Sequence, residues 1–394
     1  MKIAILTSGI LPVPAVKGGA VENHIDFYLK YNDEHKLHDM TVYSVWDDAI
    51  KGHPALKSKN NHYEYIITNS LWARIKKNIH YRLYGERYYH YTIEYYFREA
   101  WKRLQKQHYD IILLDNRPGY AVSIDVPQDS KLYLYLHNDL LNNQTKDYQQ
   151  IYDKASRILT VSDYISRCVK TINPNDTKCF SILNGIDLQA FSPNITSTIT
   201  RSQIGLSDDD FVMVFSGRIT KEKGVTELID SMIQLKNHAN IKLLIIGSPF
   251  YGNATNEDAF VRDLKQKAEA IKGRIVFTGF IPYSQMPQYL KISDIAVIPS
   301  LWDDPCPNTV LEAQAMGLPL ITTRRGGIPE EVTEKNAILL NTDEHFVNNL
   351  TSAIQDLYEH SEKRKQMSSA AIANSKYYNH VRYTEDFYKG IELT

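Results

Sequence analysis

The sequence predicts two doubly wound α/β domains, and three observations carry that expectation. Short apolar runs recur along all 394 residues. Stretches of helical periodicity separate most of these runs. Strands apolar on both faces and joined by helices belong to parallel sheets covered on both sides. The length leaves room for about two to three cores of ordinary size.

Taken in order, the first half offers strands at 2–6, 41–45, 63–67, 111–114, 132–136 and 158–161. The second half repeats the arrangement at 211–215, 242–246, 275–277, 295–298 and 320–322. The strand pattern stops at Asn184-Gly185-Ile186-Asp187, and a polar stretch, 192–202, follows. The expected domains are therefore 1–190 and 191–375, with 376–394 as a Tyr-rich helical tail.

Hydrophobic residues at 43% and charged residues at 23% are ordinary for a globular protein. No apolar run approaches the roughly 20 residues needed to cross a bilayer. Residues 1–6 lead into a Gly/Pro turn without a small-residue cleavage site, so no signal peptide is expected. Three cysteines (Cys168, Cys179, Cys306) lack the close paired spacing of a zinc site, which points to a reducing cytoplasm. Lys and Arg number 45 against 46 Asp and Glu, a net of -1 that makes no case for nucleic-acid binding.

That balance hides an uneven distribution. Segment 71–104 has eight bases (Arg74, Lys76, Lys77, Arg82, Arg87, Arg98, Lys102, Arg103) against three acids, a net of +5. The remainder of the chain stands at -6. Ten of the segment's residues are aromatic, seven of them among the chain's 27 tyrosines, and Trp72, Ile75, Ile79 and Leu83 fall at helical spacing. Such a segment suits an anionic lipid surface, at which the protein would be peripheral. It equally suits a helix pair packed on the first sheet, or a groove on which an acceptor sugar stacks.

Ligands of open parallel sheets bind beyond the carboxyl ends of the strands, so the chemistry belongs in the loops there. Lys17-Gly18-Gly19-Ala20 opens a helix, and its glycines would let backbone N–H groups approach a phosphate, although the pair also makes a plain turn. Gly217-Arg218 and Lys223-Gly224 follow strand 211–215 and offer two cations for a diphosphate, or else a solvated basic turn. The loop after 295–298 is acidic and stiffened by proline, with Asp303, Asp304, a capping Asn308, and Glu312 one turn into a helix. There Glu312 could accept hydrogen bonds from a ribose diol. Arg324-Arg325-Gly326-Gly327 precedes another helix, and His137-Asn138-Asp139 ends strand 132–136.

In order and spacing these loops resemble the retaining glycosyltransferases of family 4, the glycosyl transferases group 1. The residues that carry the resemblance begin with Pro12-Val13-Pro14-Ala15-Val16-Lys17-Gly18-Gly19-Ala20, Asn116-Arg117-Pro118, His137-Asn138 and Val161-Ser162-Asp163-Tyr164-Ile165. They continue through Gly217-Arg218, Lys223-Gly224, Gly279-Phe280, Leu311-Glu312-Ala313, Gly317-Leu318-Pro319 and Gly326-Gly327-Ile328-Pro329-Glu330. The first and fourth stretches are especially similar to CotSA-like and bacterial surface-polysaccharide members.

The resemblance implies a GT-B fold, with two facing Rossmann-like domains, a deep cleft and a C-terminal helix returning to the first domain. It implies donor binding by the second domain and acceptor binding by the first. Arg218 and Lys223 would hold the diphosphate of a nucleotide sugar, a UDP-sugar foremost. Glu312 would bind the ribose, and His137 would contact the donor sugar. Gly18, Gly19, Gly217, Gly247, Phe280, Ile281, Asn308, Thr309 and Val310 would line the donor site, while Arg117, Asn138 and Asp139 would face the acceptor, a glycan or lipid-linked glycan. Where the family has Glu eight residues before Glu312, this chain has Asp304, one methylene shorter. Retention without a metal or other cofactor is implied, since two cations can neutralise the leaving diphosphate. The Asp208-Asp209-Asp210 run precedes a strand and reads as a solvated turn. The rival readings are a non-hydrolysing nucleotide-sugar epimerase and a catalytically silent coat or scaffold protein.

Overall fold

The computed structural model describes residues 1–86, 88–249 and 258–392, which form two α/β units. The first comprises Met1–Leu183 together with the chain from Tyr383 onward, and the second is Asn184–Arg382. These divisions differ from the expected 190 and 376 because two distant passages pair. Ile186 N–H donates to the Tyr378 carbonyl (2.7 Å), and His380 N–H donates to the Ile186 carbonyl (2.9 Å). Both passages thereby join the second unit.

In the first unit the chain runs β1 (Lys2–Leu6), α1 (Ala20–His35), β2 (Asp39–Val45), β3 (Asn61–Ile66), α2 (Leu71–Tyr84) and α3 (Tyr91–Leu104). It continues through β4 (Ile111–Asp115), β5 (Lys131–Leu136), α4 (Tyr148–Lys154), β6 (Arg157–Thr160), α5 (Asp163–Lys170) and β7 (Cys179–Ser181). The seven strands are parallel in the order β3-β2-β1-β4-β5-β6-β7. In β1 and β4 the aliphatic side chains on both faces are buried, which is why these runs read as continuous apolar segments.

The second unit runs β8 (Phe211–Ser216), α6 (Val225–Gln234), β9 (Ile241–Ile246), α7 (Ala259–Ala268), β10 (Ile275–Gly279), α8 (Met286–Lys291) and β11 (Ile295–Ile298). Next come α9 (Asn308–Ala315), β12 (Leu320–Thr323), α10 (Ile328–Glu331), β13 (Ala337–Leu340), α11 (Phe346–Glu359) and α12 (Ser361–Ser375). Its six strands are parallel in the order β10-β9-β8-β11-β12-β13, around a core built from Phe215, Leu228, Ile245, Val297 and Ile354. In each sheet the order reverses once, between β1 and β4 in the first and between β8 and β11 in the second. The loops following those four strands flank the crevices where such sheets bind ligands.

The last helix, α13 (His380–Glu392), supplies most of its length to the first unit. Phe387 stacks on Tyr28 at 4.0 Å, the Tyr388 hydroxyl donates to the Tyr28 carbonyl at 2.6 Å, and the Tyr135 hydroxyl donates to Tyr383 at 3.1 Å. Many of the tyrosines are therefore large core residues whose hydroxyls find partners inside.

Segment 71–104 divides into two unlike helices. α3 buries Tyr96, Phe97, Ala100, Trp101 and Leu104, as the packed reading expects. α2 buries only Ala73 and leaves Leu71, Trp72, Ile75, Ile79 and Leu83 exposed. Arg87, counted among the bases of this segment, lies outside the described residues.

Candidate functional site

The second unit builds its site from the loops at the β8/β11 reversal. Both Leu301 and Trp302 donate N–H to the Glu222 carbonyl (2.8 and 3.2 Å), which ties the loop after β11 to the loop after β8. Close approach makes the glycines obligatory. A Cβ on Gly224 would lie 1.9 Å from the Pro299 carbonyl oxygen, and one on Gly247 would lie 1.8 Å from that of Gly217. Gly217 N–H in turn donates to Ile246, and Gly247 N–H to Gly279 (both 3.0 Å). The loops after β8, β9 and β10 are thus one connected surface.

On that surface the Lys223 ammonium pairs with the buried Asp304 carboxylate and lies 5.5 Å from the centre of the Trp302 ring. Arg218 remains 39% exposed, with Glu222 at 4.0 Å. Asp303 is engaged from the other side, by Arg325 Nε at 3.0 Å and Gly326 N–H at 3.1 Å. The one-methylene shortening at Asp304 therefore accompanies an ion pair across the sheet reversal, and Asp303 anchors the loop after β12.

Glu312 is enclosed on α9, and its partner is Tyr283, which follows β10. Burial pushes the Glu312 carboxyl up to about 7, against the hydrogen bond from Tyr283, which pulls it down. Phe280 and Ile281 lie between β10 and Tyr283, with Phe280 36% exposed.

One expected role on α9 needs correction. Asn308 is the first helical residue and not the cap, since the N-cap is Pro307 without a side-chain bond; the Asn308 Oδ1 instead accepts from Asn184 Nδ2 at 3.1 Å. The Val310 amide donates to the Pro307 carbonyl at 2.9 Å. Thr309 keeps the expected position at the helix start.

In the first unit the loop after β4 crosses to the loop after β1. Arg117 Nε and the Tyr120 hydroxyl each donate to the Ser8 carbonyl at 3.4 Å. His137 leaves the end of β5 with its side chain 6% exposed and its Nε2 3.2 Å from Oδ1 of the fully buried Asp115. Asn116, in the left-handed region at φ 57°, accepts the His137 amide on its side chain at 3.3 Å. Gly18 and Gly19 both have positive φ, and a Cβ on Gly19 would meet the Glu22 carboxylate at 2.2 Å. Burial and the nearby Asp115 charge push the Glu22 carboxyl up to about 7. Sequence reasoning missed Glu22, Asp115 and Tyr283. Asn138 forms a turn with its side chain, accepting Leu140 N–H at 3.3 Å, and the Asp139 carbonyl accepts from Asn142 at 2.8 Å.

Residues 196–374, nearly the whole second unit, match the family described as "Glycosyl transferases group 1". The second unit belongs to the glycosyl transferases group 1. Similarity beyond this group 1 domain extends to whole proteins. The chain is 27% identical over 381 residues to spore coat protein SA of Bacillus subtilis, covering 93% of this chain and 92% of that one. It is also 27% identical over 383 residues to the putative glycosyltransferase YtcC of the same organism, covering 94% and 86%. Among solved structures, Anabaena HepE in complex with UDP and glucose superposes on the full length of both chains with a TM-score of 0.74 at 20% identity. The fold is accordingly GT-B, with two Rossmann-like domains, one of them the group 1 domain.

Proposed function

We propose that this group 1 glycosyltransferase moves a hexosyl or N-acetylhexosaminyl group from a UDP-sugar to a glycan or lipid-linked glycan of the cell surface, retaining the anomeric configuration. The observation that carries the proposal is the convergence of Arg218, Lys223 and the Tyr283–Glu312 pair on strand ends of one unit. The two cations suit a departing diphosphate and would neutralise the charge that develops on it, so the reading assigns no metal to that task. In its charged form Glu312 suits a ribose diol, and the structure solved with UDP in HepE favours uridine as the base. The acceptor would attack from the face the diphosphate leaves, with a phosphate oxygen taking its proton. His137, held beside Asp115, would contact the donor sugar.

A thermal-shift panel of UDP-, GDP-, ADP- and dTDP-sugars tests this reading. The UDP-sugar should raise Tm most, and the rise should shrink in Glu312→Gln. A flat panel would refute the donor assignment. Stabilisation without transfer to any acceptor would favour the silent scaffold.

We also propose that α2 rests on an anionic membrane. Trp72 is 74% exposed, Leu71 72% and Leu83 69%, alongside Arg74, Lys76, Lys77 and Arg82, a pairing of apolar anchors with positive charge. Among the described residues no helix is long and apolar enough to cross a membrane, so the contact would be peripheral. In liposome flotation with anionic vesicles the protein should rise with the lipid, and neutralising Arg74, Lys76 and Lys77 should release it. Flotation that ignores those substitutions would count against the surface.

A further inference from the structure

Asp115 closes β4 and is wholly buried, yet neither of its carboxylate oxygens receives a hydrogen bond from the described residues. A carboxylate enclosed in this way needs a donor beside it, because burial without one is costly. The groups around it narrow the choice. From α1 it faces Glu22 and Tyr28, and from α3 it faces Tyr96. Glu22 is a second acid, and the Tyr96 hydroxyl donates to the Tyr43 carbonyl. The Tyr28 hydroxyl is buried without a hydrogen-bond partner, so it is not bonded to Asp115. What remains is His137 at the end of β5, whose Nε2 lies 3.2 Å from Oδ1.

The register of β4 against β5 makes this pairing. Asp115 lies opposite Tyr135, and Asn116 N–H donates to the Tyr135 carbonyl at 2.8 Å. His137 follows two residues later, and its amide donates to the Asn116 side chain at 3.3 Å. Two consecutive residues leaving β4 therefore hold one residue leaving β5, Asn116 by its backbone and Asp115 by its ring. The fully buried Tyr135 ring packs 4.3 Å from the imidazole, tilted by 41°. Nε2 itself is buried, so the 6% of the His137 side chain left exposed belongs to its other atoms.

We propose that Asp115 is the positioning residue of His137, keeping the imidazole proton on Nε2 and leaving Nδ1 to accept a hydrogen bond from a hydroxyl of the donor sugar. The proposal rests on the glycosyltransferase reading, in which His137 contacts that sugar, and deepens it. In a neutral imidazole one nitrogen carries the proton and the other accepts, and the bond made by one sets the role of the other. An ionised carboxylate only accepts, so the nitrogen beside it must donate. The opposite nitrogen then needs an O–H on the sugar, and neither an ether oxygen nor a carboxylate can supply it.

Nitrogen NMR of the full chain carrying isotope-labelled histidine reads the tautomer without donor or turnover. The His137 signals are identified by their loss in His137→Gln. At about pH 8, where an ordinary imidazole is neutral, Nε2 should carry the proton and Nδ1 should not. The Nε2–H proton should appear at low field and be protected from exchange, and in Asp115→Asn it should move upfield or vanish. Asp115→Asn should also lower transfer by about 10–100-fold, the range for removing the carboxylate behind a functional histidine. The same substitution should cost nothing further in a His137→Gln background, whereas a merely structural loss would appear in both. Should Asp115→Asn fail to fold, the spectrum of the unaltered protein decides alone. A proton on Nδ1, an unprotected Nε2–H, equal losses in both backgrounds, or unchanged transfer in His137→Gln would overturn the proposal. The UDP-sugar thermal shift reports the donor reading separately. A flat shift beside the low-field signal would remove the donor assignment and leave the Asp115–His137 pair intact.

Discussion

Lys223→Ala is expected to lower the transfer rate by about 10²–10³-fold, the usual loss when one preorganised charge is removed from a developing anion. The substitution also strips Asp304 of its partner. A buried carboxylate left unpaired costs about 1–3 kcal/mol or more, so Tm should fall as well. Adding Asp304→Asn to Lys223→Ala should recover most of the stability and none of the turnover. Arg218 is more exposed, and Arg218→Ala should reduce transfer with little change in Tm. Steady-state transfer with the donor chosen by thermal shift, beside melting curves of all four proteins, separates these effects. Near-normal turnover in Lys223→Ala and Arg218→Ala together would sink the assignment of the diphosphate site.

The second large effect is a pH dependence set by Glu312. Its carboxyl titrates near 4.5 in the unfolded chain and is pushed up to about 7 in the folded one. The folded protein therefore binds the proton more tightly than the unfolded chain does. This group's contribution is most favourable below about 4.5 and is lost as pH rises toward 7, by up to about 1.4 kcal/mol per pH unit. Donor binding should run the other way, because a ribose diol donates best to the carboxylate. Below about pH 7 the donor Kd should climb toward tenfold per unit. Glu312→Gln should raise the Tm of the unliganded protein at pH 8, flatten the pH dependence of donor binding and nearly abolish transfer. Calorimetry between pH 5.5 and 8.5 on both proteins measures each part. A Glu312→Gln variant that binds donor with an unchanged pH profile would remove Glu312 from the site.

Most of the sheet was legible because its strands are buried on both faces and so appear as unbroken apolar runs. β7 escaped notice because Cys179-Phe180-Ser181 is three residues long and half-polar, whereas β13, Ala337–Leu340, was missed although it is as long and as apolar as β11. The placement of Arg218, Lys223, Asp304 and Glu312 after strands could be read from spacing. Their pairings could not, since nothing local links Lys223 to Asp304 or Glu312 to Tyr283. Glu22 and Asp115 looked like ordinary helix and strand-end acids, and only burial beside one another distinguishes them. α2 and α3 show why amphipathic patterning alone is ambiguous. Both have the stripe, yet only α3 finds a partner for it. The correction at Asn308 has a simple cause, a helix that starts one residue earlier than its capping chemistry suggested.

The position of α13 has a consequence for biosynthesis. The aromatic face around Tyr28 belongs to the first part of the chain made, while the Phe387 ring that covers it arrives only after Asn184–Arg382 has been translated. At about 5–20 residues per second that interval lasts on the order of 10–40 s. Throughout it the nascent first domain exposes an apolar seam that the ribosome or a chaperone must shield. A stop codon placed before Tyr383 would make that temporary vulnerability permanent.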